Sequence, residues 1–226
     1  MTRKLSLILF WLGFIGYAFF LAPPLPPGTF ELIKRLSTGQ IAGINPLIVA
    51  LFNLLGVFPL IYACLLLIDG RMQKLPAWIF MLGSFGTGAF ALLPYLALRD
   101  PNPHFTGEKS ALLKLLDSRW FGGSLAITAI GLVVYGITQG NWADFSQQWQ
   151  TNRFIHVMSL DFCVLCLLFP TLLGDDMSRR QLHDRRIFWA VSLLPLLGAA
   201  LYVALRPPLP SPTTTESSPQ QPAALS

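Results

Sequence analysis

Charge is scarce in this chain. Only 12% of its 226 residues are Asp, Glu, Lys or Arg, against about a quarter in a soluble domain. So few charges cannot cover a water-exposed surface, and 53% of the residues are hydrophobic. The apolar runs also lack two-residue alternation, which excludes the strands of an outer-membrane barrel. Cysteine is nearly absent: Cys64, Cys163 and Cys166 all fall inside apolar runs. No disulfide framework follows, and they read as small packing residues. No Gly-x-Ser-x-Gly elbow, His-Glu-x-x-His or Walker motif occurs, so an enzyme site, a metal and a cofactor are not expected. No basic cluster is interleaved with stacking aromatics, which argues against nucleic acid.

What is present is a set of six long apolar stretches: Leu5–Ala22, Pro46–Ile68, Pro76–Leu98, Phe121–Thr138, Phe154–Gly174 and Ile187–Leu205. A helix needs about 20 apolar residues to cross a bilayer. Lipid demands that backbone polar groups be satisfied internally. The expected fold is all-α: a polytopic bundle of six transmembrane helices over residues 1–206, with short interfacial helices. Residues 207–226 are rich in Pro, Ser and Thr and are expected to be a disordered tail. Thr2-Arg3-Lys4 opens like a signal peptide. Phe20-Leu21-Ala22 lacks the small residues of a cleavage site, so the segment reads as a retained first span.

Between the stretches lie amphipathic segments. Thr29–Gly39 pairs Phe30, Ile33 and Leu36 with Lys34 and Arg35, as an interfacial helix does. Trp142, Phe145 and Trp149 share one helical face, an aromatic belt at a membrane boundary. Ser110–Trp120 reads as a short helix bending into the fourth stretch. Asn45-Pro46 is a helix start. With six crossings, six Lys/Arg share the side of the N-terminus and ten lie opposite. The positive-inside rule then sets both termini outside, although Arg3 and Lys4 pull the other way.

Asp161 is the one acidic side chain inside the stretches. A charge there costs about 3 kcal/mol on insertion scales. It must pair, stay protonated or reach water, as a relay or contact residue or as a plain interhelical bond. Asn53, Thr87 and Tyr135 are the expected partners. At roughly 100° per residue, Cys163 lies within about 20° of His156 while Asp161 lies about 140° away. A metal site on that helix is therefore unsupported. The binding candidates are Asp161, His156 and Asn53, the last able to hydrogen-bond across helices for about 1 kcal/mol. Asp69 and the Asp175-Asp176 pair stand at stretch ends beside basic residues and read as surface ion pairs. The Gly83–Gly88 run lies mid-stretch with no strand before it, so it reads as a packing seam rather than a phosphate loop.

Tyr95-Leu-Ala-Leu-Arg99 with Pro101 resembles Tyr202-Val-Ala-Leu-Arg206 with Pro208, at an offset of 107 residues. If stretches 1–3 match 4–6, the odd number per half would invert the second copy, as in secondary transporters.

Gly43-Ile-Asn-Pro46, Phe52-Asn53-Leu-Leu-Gly56, Pro59-Leu60 and Phe85-Gly-x-Gly88-Ala-Phe-Ala-Leu-Leu-Pro94-Tyr95 resemble a family of multi-span membrane proteins of cyanobacteria and plant plastids. The likeness covers roughly the first hundred residues. It implies a thylakoid or plasma membrane and carries no chemistry. The expected function is a non-enzymatic assembly or stabilisation factor for a membrane complex, with the lipid bilayer and a membrane protein as partners. The alternative is a small-solute or ion transporter with an inverted 3+3 repeat using Asp161.

Overall fold

The computed structural model describes residues 2–105 and 108–210. All regular elements among them are helical, so the all-α expectation holds. In chain order they are α1 (Thr2–Gly16, continued by a π-helical turn Tyr17–Leu21), α2 (Thr29–Ser37), α3 (Pro46–Asp69), α4 (Ala77–Thr87), α5 (Ala89–Leu98), α6 (Ala111–Leu116), α7 (Arg119–Gln139), α8 (Trp142–Thr151), α9 (Arg153–Leu168), α10 (Pro170–Arg179), α11 (Arg185–Leu193) and α12 (Leu197–Leu205). The amphipathic segments appear as α2, α6 and α8. Ser118 caps α7 after a break at Asp117.

Six spans were expected; four helices among the described residues have the length and apolarity to cross a membrane. They are Thr2–Leu21, Pro46–Asp69, Arg119–Gln139 and Arg153–Arg179. The last is α9 and α10 running on through Phe169, with Pro170 removing one hydrogen bond from the ladder. The third and sixth stretches are each split into two short helices that fold back on themselves.

In the third stretch, Gly88 at φ 53° breaks the helix. The Phe80 and Tyr95 rings then lie 5.6 Å apart, and a Cβ on Gly83 would sit 3.2 Å from that of Ala91. One continuous helix would hold Phe80 and Tyr95 about 22 Å apart. In the sixth stretch the turn is Leu194-Pro195-Leu196, with Leu196 at φ 60°. Gly198 crosses so close to the Val191 carbonyl that a Cβ would overlap it. Each arm has 9 to 11 residues. That is about 15 Å, half a bilayer core.

The fold-back brings both ends of each hairpin to one end of the bundle. Tyr95 and Arg99, closing α5, bond Asp69 at the end of α3. Arg3 and Lys4, opening α1, reach the carbonyls of Arg99 and Leu98. Of the 16 Lys and Arg in the chain, only Lys34, Arg35 and Arg153 belong to the opposite end. The six-to-ten division read from six crossings is thereby replaced, and Thr2 and the end of α12 both lie at the basic end.

The core centres on α3, where Phe58, Ile61, Tyr62, Leu65 and Leu66 are fully buried. Tyr62 donates to the Leu165 carbonyl at 2.6 Å and ties α3 to α9. Outward faces are apolar: on α7, Ile127, Ile130, Val134 and Ile137 are exposed at helical spacing. Of the tail, residues 207–210 are ordered, with Leu209 buried and its N–H donating to Asp117. The rest, 211–226, lies outside the described residues.

Candidate functional site

The largest concentration of buried charge lies at the basic end, in two clusters built alike. In the first, Asp69 Oδ2 accepts from the Tyr95 hydroxyl at 2.8 Å. Its Oδ1 accepts from Arg99 Nη1 at 2.7 Å and Arg179 Nη2 at 2.5 Å. In the second, Asp176 Oδ2 accepts from the Tyr202 hydroxyl at 2.8 Å, Arg206 Nη1 at 3.0 Å and Arg180 Nε at 2.8 Å. Asp69 and Asp176 are both fully buried, so the expectation of surface pairing is corrected. Burial follows from the fold-back, which lays α5 and α12 over the ends of α3 and α10.

Three members of each cluster match at the 107 offset: Asp69 with Asp176, Tyr95 with Tyr202, Arg99 with Arg206; the second arginines, Arg179 and Arg180, do not. They also reach into each other. Arg99 Nη2 donates to the Thr171 carbonyl at 2.8 Å, and Arg206 Nη2 donates to the Cys64 carbonyl at 3.0 Å. Cys64 and Thr171 are again 107 apart. Gln73 bonds the Asp100 carbonyl, and its counterpart Arg180 bonds that of Pro207.

At the opposite end, Asn45 and Asn152 cap α3 and α9, each accepting at 3.0 Å from the N–H two residues on. Asn45 donates to the Asn141 carbonyl of the second half, and Arg153 to the Pro23 carbonyl of the first. The halves exchange equivalent contacts at the basic end and carry equivalent caps at the other, with α3 and α9–α10 running the same way. The repeat is real, and it is parallel rather than inverted. Each half contributes two long helices and one hairpin.

Outside the long helices, Asp117 completes the second cluster, with Arg180 Nη1 at 2.6 Å and Lys109 Nζ at 2.7 Å. Burial pushes its carboxyl up, but the two cations outweigh this and hold it below the usual carboxylate range.

Asp161 lies at the tip of the first hairpin. Its Oδ1 accepts from the Ala89 backbone N–H at 2.8 Å, capping the start of α5. The partner is thus backbone, not the side chain of Asn53, Thr87 or Tyr135. A Cβ on Gly88 would overlap this carboxylate. Glycine is required there for space as well as for its positive φ.

His156 is buried between α1 and α8. Its Nδ1 lies 2.9 Å from the Trp149 carbonyl and its Nε2 2.8 Å from the Tyr17 hydroxyl. A carbonyl only accepts, so Nδ1 carries the proton and Nε2 accepts from Tyr17. Asn53 faces outward and donates to the Val49 carbonyl of its own helix at 2.8 Å, not across helices. The three candidates are therefore not brought together. Among the described residues no group of three His, Cys, Asp or Glu could hold a metal.

Fold and site together define a class: an all-helical, membrane-type bundle of two parallel repeats, clasped by paired buried ion clusters. Comparison with protein-family models, curated proteins and solved structures finds no match.

Proposed function

We propose that this protein is an integral membrane protein that crosses the bilayer four times and inserts two re-entrant hairpins from its basic face. On this reading the basic end faces the cytoplasm or stroma. The resemblance of the first hundred residues points to a thylakoid or plasma membrane of the photosynthetic lineage. Its work is to assemble or stabilise another membrane complex, without chemistry of its own.

One observation carries this reading: the buried carboxylates Asp69, Asp161 and Asp176 and the imidazole of His156 all bond to groups of the bundle itself. Asp161 caps a hairpin tip, His156 joins α1 to α8, and the two aspartate clusters clasp the halves. A transporter would keep such groups around a midplane cavity. The two cavities described here border α10–α12 at the surface instead. The exposed apolar faces, such as that of α7, suit packing against another membrane protein. Tagged protein, taken from its native membrane in mild detergent at native expression, is expected to co-purify with a stoichiometric membrane-protein partner. Recovery of monomers alone contradicts the assembly role.

A further inference from the structure

The second hairpin carries two cavities that share Leu182. One, of about 380 Å³, opens at the basic end between α10 and α11. Ser178, His183 and Arg185 line it together with Met177, Phe188 and Trp189. The other, of about 350 Å³, follows the seam between α11 and α12 and is lined almost wholly by apolar side chains, among them Ala190, Val191, Leu194 and Leu201. Leu182 borders both.

We infer that the pair is a binding site for a single anionic phospholipid. The phosphate rests on Arg185 and His183 at the membrane surface, and one acyl chain lies over Leu182 and along the α11–α12 seam. Three features favour this occupant. The polar cavity is at the end that holds most of the cationic side chains, where a phosphate anion is attracted. Arg185 is exposed and offers the planar donor fork that suits a phosphate. The second cavity extends from Leu205 and Pro207 at the basic end to Leu194 and Gly198 at the hairpin turn, the course an acyl chain takes down from a headgroup. The one carboxylate in the lining, Asp184, accepts from the Arg186 N–H at 2.8 Å as the cap of α11. The site depends on membrane embedding with the basic end at the surface, and not on any partner protein.

The test uses the full chain in discs of equal parts phosphatidylglycerol and phosphatidylcholine, read by native mass spectrometry after release into detergent. The wild type is expected to retain one phosphatidylglycerol in preference to phosphatidylcholine. His183→Ala/Arg185→Ala should lower that retention about thirtyfold, at about 1 kcal/mol for each basic contact. Ala190→Trp, which fills the seam from its exposed side, should lower it too, while Lys34→Ala at the opposite end should not. Equal retention of both lipids, or retention unchanged in the double variant, overturns the site. Glycerol phosphate binding the delipidated protein as tightly as the lipid does, and unaffected by Ala190→Trp, overturns the lipid in favour of a free phosphate ester.

Discussion

At the scale of residues, aspartate is the organising side chain. Asp69 and Asp176 each gather a tyrosine and two arginines inside the protein. Breaking a buried pair strands the remaining charges, at about 3–5 kcal/mol. Asp69→Ala and Asp176→Ala are each expected to lose that much, read as a lowered midpoint of thermal unfolding in detergent. A change near zero at either would remove the clasp from the account. Asp161 acts differently, as a cap. Asp161→Asn keeps an oxygen for the Ala89 N–H and should be near neutral, whereas Asp161→Leu leaves that N–H unsatisfied at about 1–3 kcal/mol. A transporter relying on the carboxylate would lose uptake in the Asn variant while staying folded. Asp117 sets a pH dependence. Its folded pKa is depressed, so its contribution is present above its unfolded value of about 3.9 and is lost as pH falls through the lower, folded value. Unfolding midpoints scanned from neutral into acid should therefore fall further in the wild type than in Asp117→Asn.

At the scale of elements, the apolar stretches were legible and their direction was not. A run such as Pro76–Leu98 has the length of a span, and length does not say whether a helix continues or returns. The signals lay at the tips. Gly88 takes a backbone angle that other residues avoid, and Pro195 cannot continue a helix ladder. Of the Gly83–Gly88 run read as a packing seam, Gly83 packs against Ala91 of the other arm and Gly88 against Asp161 of α9, while Gly86 faces open space. The same ambiguity hid the ion clusters. An aspartate closing an apolar run ordinarily meets headgroups, and only the returning helix buries it. The 107 offset was visible in Tyr95/Tyr202 and Arg99/Arg206, and the same offset applied to Asp69/Asp176 and Asn45/Asn152 would have exposed the matched part of the framework; Arg179, Arg180 and Asp117 have no charged counterpart at that offset. The partner of Asp161 could not be read at all, because a backbone N–H carries no signature in sequence.

At the scale of the whole molecule, the hairpins decide the symmetry. Three crossings per half would invert the repeat; two crossings and a return keep it parallel, and so gather the Lys and Arg at one end. Orientation, repeat symmetry and ion clasp are one claim, and labelling from one side of the membrane tests it most directly. Single cysteines at Lys74 and His104, which flank the first hairpin, are placed in a protein whose native cysteines are replaced. An impermeant maleimide is applied to sealed vesicles, with Lys34→Cys as the reference for the opposite face. The account predicts that Lys74→Cys and His104→Cys label from the same side and Lys34→Cys from the other. Labelling of Lys74→Cys and His104→Cys from opposite sides would make that stretch a true span, and the parallel repeat would fall with it.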